Sequence, residues 1–75
     1  MDLPDNLEDL ITTINTRGFS LSIFSLPGTD SRIVHINKSY YPPSFTDHDV
    51  FSGLGNTVLE ATKKAVERII SAEKW

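Results

Sequence analysis

Three stretches of this sequence bring together residue types capable of chemistry. Asp47-His48-Asp49, with His35 elsewhere in the chain, offers carboxylate and imidazole groups of the kind that hold a divalent ion. Adjacent residues in a loop cannot all turn inward, and no His-x-x-x-His spacing occurs, so no metal site is expected. Gly53-Leu54-Gly55-Asn56-Thr57 stands ahead of a helical pattern, where backbone N–H groups can meet a phosphate. It lacks the Gly-x-x-x-x-Gly-Lys of a P-loop and reads as a tight turn followed by a helix cap. Serines are plentiful, but none sits in a Gly-x-Ser-x-Gly elbow, and neither histidine has a sequence context that suggests a charge-relay partner. No catalytic residue and no cofactor is expected, and the chain reads as non-enzymatic.

Residues suited to contact are better represented. Tyr40, Tyr41 and Phe45 share a segment stiffened by Pro42 and Pro43. Aromatic side chains held this way bury a large area at little entropic cost, which is how protein-binding surfaces place their anchors. Asp5, Glu8 and Asp9 form an acidic end that serves either helix-terminus electrostatics or a partner. Lys63, Lys64 and Arg68 are the candidates for an alternative, nucleic-acid contact, with Tyr40 or Tyr41 stacking on bases.

Length bounds what these residues can build. Seventy-five residues at 39% hydrophobic and 23% charged describe one domain. A chain this short buries only about 60–65% of its unfolded surface, so its core is thin and a deep enclosed site is hard to build. With no cysteine, neither disulfides nor thiolate metal sites add stability, and a reducing cytoplasm fits best. The short apolar runs and the acidic opening Met1-Asp2-Leu3-Pro4-Asp5 predict no membrane span and no targeting segment. The net charge of -3 is concentrated in Asp2, Asp5, Glu8 and Asp9, and an acidic chain gains little from counterion release on a phosphate backbone.

The elements that must position these groups follow from hydrophobic spacing. Leu7, Leu10, Ile11 and Ile14 fall on one helical face, with Pro4 and the acids at the start and Arg17-Gly18 at the end, predicting a helix over about 4–17. Phe19, Leu21 and Ile23 alternate with serines, Leu26-Pro27-Gly28-Thr29-Asp30-Ser31 is turn chemistry, and Val34 with Ile36 form the apolar face of a return strand. A hairpin over 19–38 is expected. Phe24 and Leu26 fall on its other face, which is either covered or a contact surface. Residues 39–49 form a long aromatic and proline loop, a feature more often functional than not, and a short strand follows at about 50–53.

The last element, a helix over about 58–74, is the clearest. Thr57-Val58-Leu59-Glu60 matches a capping box. Val58, Leu59, Ala61, Thr62, Ala65, Val66, Ile69, Ile70 and Ala72 fill one half of the wheel, and the charged residues fill the other. Glu60 with Lys64 and Lys63 with Glu67 are i,i+4 partners, so the charged half reads as a solvated, salt-bridged surface. Trp75 falls outside the apolar half and is expected to fray or to pack on a neighbouring subunit. The sum is an α+β domain of order α-β-β-β-α, an antiparallel three-stranded sheet with two helices on one face.

The block from Gly53 to Val66, with Gly-x-Gly-x-Thr opening the final helix and Ala61 and Ala65 packing it, resembles the last motif of double-stranded-RNA-binding domains. It is also similar to the Gly-x-Thr-x-x-Glu-Ala tail of HicB-type antitoxins. The first resemblance implies the fold and RNA binding; the second implies a toxin-neutralising role. Where RNA-binding members carry lysines after the cap, this chain holds Val58 and Leu59, and a further lysine place holds Thr62, so the phosphate clamp is missing. In size, acidity and lack of cysteine the chain is similar in type to small phage and mobile-element inhibitors, including anti-CRISPR proteins. The expectation is a cytoplasmic module that occludes a surface of a larger host protein or complex, with a homodimer open because unpaired sheet edges invite pairing.

Overall fold

Asn6, two residues beyond Pro4, sets the start of the first helix. In a computed structural model, which describes residues 3–38 and 50–75, the Asn6 side chain accepts a hydrogen bond from the Asp9 N–H at 3.1 Å, and α1 runs Leu7–Thr16. The helix therefore starts three residues later than expected, because the cap and not the proline fixes it. Pro4 and Asp5 lie ahead of the cap, and Gly18, at φ 86°, ends the segment in a conformation that favours glycine.

The chain continues as β1 (Phe19–Ser25), β2 (Arg32–Lys38), β3 (Val50–Gly55) and α2 (Val58–Ser71). The strands form one antiparallel sheet in the order β1-β2-β3, and the α-β-β-β-α order is as expected. The β1–β2 connection turns at Pro27-Gly28. Thr29 N–H donates to the Leu26 carbonyl at 3.3 Å and Gly28 has φ 75°, the positive value needed at the third residue of a type II turn.

Leu10 and Ile14 of α1, Phe19 of β1, Val34 and Ile36 of β2 and Ala61, Ala65, Val66 and Ile69 of α2 form one buried cluster. The register pairs Leu21 and Phe51 with Ile36, and Ile23 and Gly53 with Val34, so these residues share the helix side of the sheet. Thr62, also fully buried, satisfies its hydroxyl by donating to the Val58 carbonyl at 2.7 Å.

Gly53 and Gly55 carry a role different from the expected turn. Both lie in β3, which extends two residues past the predicted end. A Cβ on Gly53 would stand 2.0 Å from the Ala61 carbonyl oxygen, and one on Gly55 would stand 2.9 Å from the Ala61 nitrogen. The alternating glycines thus let the backbone of α2 lie directly on β3.

The cap of α2 also differs in detail. Thr57 accepts from Glu60 N–H at 3.1 Å as expected, but the Glu60 carboxylate reaches the N–H of Asn56, at 3.3 Å, one residue before the cap. At the other end α2 stops at Ser71, three residues short of the predicted end. Glu73 takes φ 58°, its N–H bonds to the Ile70 carbonyl, and Lys74 N–H bonds to the Ile69 carbonyl. This reversal carries Trp75 back onto its own chain, where its ring stacks on Phe19 with centroids 6.0 Å apart. Arg17 lies 4.4 Å from the centre of the Trp75 ring and donates to the Trp75 carbonyl at 2.8 Å, while the Lys38 ammonium lies over Phe19. Trp75 thus packs on Phe19 and Arg17 of its own chain, in place of the expected fraying or packing on a neighbouring subunit.

Candidate functional site

Both helices pack on the Val34 and Ile36 side, which leaves the alternate residues of the same strands facing away. The register arranges them in three cross-strand rows: Phe24, Ile33 and Leu54; then Ser22, His35 and Ser52; then Ser20, Asn37 and Val50. The first row is apolar on all three strands. Phe24 is 51% exposed and Leu54 is 55% exposed, with Ile33 half-buried between them. Leu26 extends the same apolar end into the hairpin turn and is itself exposed. Phe24 meets His35 edge to face, with ring centroids 5.2 Å apart, a favourable aromatic geometry.

The second row places an imidazole between two serines. Among the described residues no hydrogen bond joins His35 to Ser22 or Ser52. The arrangement is a flat surface with an apolar end and a polar middle. Such a surface can desolvate against another protein, with hydroxyl and imidazole groups fixing orientation.

The charged candidates are placed on the opposite side of the molecule or at its end. Asp5, ahead of α1, forms an ion pair with Lys63 of α2, and the adjacent ammonium, through its hydrogen bond and then its charge, holds the Asp5 carboxyl below the usual carboxylate range. Glu8 and Asp9 are exposed in the first turn of α1. Lys64 pairs with Glu60 at 3.2 Å, and Glu60 is lowered by that hydrogen bond, by the Asn56 N–H and by the Lys64 charge. The expected Lys63 and Glu67 pair gives way to Lys63 and Asp5, because the segment before α1 lies beside α2. Arg68 borders a shallow depression with Lys64, Glu67, Ser71 and Ala72. The basic residues of α2 are therefore interleaved with carboxylates, and two of the three are already paired.

Tyr40, Tyr41 and Phe45 lie outside the described residues, as do Asp47, His48 and Asp49. Among the described residues no group of three or more His, Asp or Glu side chains gathers, and no helix is long and apolar enough to cross a membrane. The sequence signal for Phe24 is its place out of phase with Phe19, Leu21 and Ile23. Leu54 is hidden in the sequence by the two glycines around it, which read as a turn. No protein-family model, curated protein or solved structure matches this chain.

Proposed function

We propose that this chain is a protein-binding module whose contact surface is the helix-free face of its sheet, and that it acts by occupying a surface of a larger protein. The observation that carries the reading is the Phe24, Ile33 and Leu54 row. It is an apolar strip, more than half exposed at both ends, on a sheet whose other face is used by the core. A contiguous apolar patch rimmed by polar groups is costly to leave in water and marks an interaction site. Ser22, His35 and Ser52 supply such a rim, and Tyr40, Tyr41 and Phe45 are kept as further contacts by residue type. The acidic group Asp5, Glu8 and Asp9 is a second, electrostatic contribution, since charges on a rim steer encounter.

The test compares the wild-type chain with a Phe24→Ser, Leu54→Ser double variant as baits in lysate of the source cells. Both substitutions lie on the exposed face, so the fold should persist, as circular dichroism will verify. The expected result is a protein captured by the wild type and lost from the folded variant. Equal capture by both removes the proposed surface. A salt-sensitive gel shift with duplex or single-stranded RNA or DNA, abolished by Lys63→Ala, Lys64→Ala and Arg68→Ala together, would instead establish nucleic-acid binding.

A further inference from the structure

We propose that β1 pairs along its free edge with β1 of a second copy of this chain, joining the two sheets into one continuous antiparallel sheet about a two-fold axis at Ser22. This pairing goes beyond the contact surface above and rests on different groups, namely the backbone of β1.

Leu26 N–H donates to the Ser31 carbonyl, and the register continues through Ser25 with Arg32 and Phe24 with Ile33. In an antiparallel ladder alternate residues turn their backbone groups to the same side. Leu26, Phe24, Ser22 and Ser20 therefore face β2, while Phe19, Leu21, Ile23 and Ser25 direct their N–H and carbonyl groups away from the sheet. Among the described residues no hydrogen bond reaches those outward groups of Leu21, Ile23 and Ser25. Edge strands that must stay single carry charges, prolines or bulges. Phe19–Ser25 has no charged residue, no proline and an unbroken register.

The occupant follows from self-complementarity. Hydrogen-bonded pairing requires outward residues to meet outward residues, and centring the axis on Ser22 is the register that uses the whole strand. It sets Leu21 opposite Ile23 of the other copy and Phe19 opposite Ser25, each twice, with Ser22 facing its own symmetry mate. No like charges oppose one another. Ile23 explains what is gained: it points to the helix side, yet neither helix covers it and it remains 45% exposed. In the pair it packs on Leu21 of the second copy. Because facing residues in an antiparallel pair share a face, all four helices fall on one side and the two open faces become a single surface.

Ser22 provides the test, since the chain contains no cysteine. Residues facing one another in a non-hydrogen-bonded antiparallel pair lie about 4.5 Å apart at Cα, within the range a disulfide spans. Ser22→Cys is expected to form a disulfide-linked dimer on mild oxidation, whereas Ser52→Cys, on β3, is not. Sedimentation of the wild-type chain is expected to show a dimer, and Ser22→Lys, which places two ammonium groups at the axis, should weaken it at least tenfold while circular dichroism is unchanged. The proposal is overturned by a wild-type chain that stays monomeric up to about 1 mM, or by a dimer that Ser22→Lys leaves intact and in which Ser22→Cys fails to link. These outcomes are distinguishable from those of the Phe24 and Leu54 test, which changes open-face side chains of β1 and β3 and leaves the outward backbone groups of Leu21, Ile23 and Ser25 in place.

Discussion

On the helix side of the sheet Gly53 has no room for a methyl group; one residue further along β3, on the other side, Leu54 stands more than half exposed. The same contrast runs through β2, where Val34 and Ile36 are fully buried while Ile33 lies in the uncovered row. Composition does not separate these residues, since both faces carry aliphatic side chains. What separates them is the reach of two short helices. Once α1 and α2 have closed over one side, nothing in the described residues is left to cover the other, and the apolar side chains there are available to a partner.

Alanine substitutions at two adjacent positions put the contrast between the faces under the greatest stress. Gly53→Ala forces a Cβ into the Ala61 backbone, which cannot yield as a flexible side chain can. It should cost about 3 kcal/mol or more, at the upper end of overpacking effects. Leu54→Ala, removing a larger group from the open face, should change stability by less than about 0.5 kcal/mol. Urea denaturation midpoints of the two variants measure both. Equal losses would mean that Leu54 belongs to the core.

A smaller effect is expected where the covered side is closed at its margin. Trp75→Ala removes the ring stacked on Phe19 and lying beside Arg17, and should cost about 2 kcal/mol, seen as a lowered thermal midpoint. A negligible change would place the Trp75 contact outside the cooperative unit.

The least effect belongs to the charged rim. Asp5 and Glu60 have carboxyl groups lowered by Lys63 and Lys64 respectively. A lowered carboxylate contributes stability at pH values above its unfolded pKa, about 4, and loses it as pH falls through the folded value. Thermal midpoints of the wild type and Asp5→Asn should therefore differ slightly at neutral pH and converge in acid, and added salt should shrink the neutral difference because the pair is exposed. A gap that persists in acid assigns Asp5 a role other than its ion pair.

Much of this architecture is legible in the residues. The spacing of Leu10 and Ile14, the alternation through Val34 and Ile36 and the alanines of α2 each report a periodicity that one buried face imposes on sequence. Three features are illegible for specific reasons. Asn6 is obscured because Pro4 and the acids look like a first turn, although capping depends on which side chain meets the free N–H groups. Gly53 and Gly55 mimic a turn because glycine marks both sharp reversals and close backbone approach, and a single sequence does not tell them apart. The place of Trp75 depends on Glu73 adopting a left-handed conformation, which a glutamate does not advertise. The open face is half legible. Phe24, and Leu26 just beyond β1, fall out of phase with Phe19, Leu21 and Ile23, but their union with Leu54 requires the strand order and register.

That the helix-free face is the contact surface is tested most directly by photocrosslinking in the source cells. A photoreactive phenylalanine analogue is placed in turn at position 54, on the open face, and at position 67, on the exposed side of α2. The expected result is a crosslink to a different protein from position 54 and none from position 67. A crosslink to a different protein from position 67 alone, or from both positions equally, would contradict it.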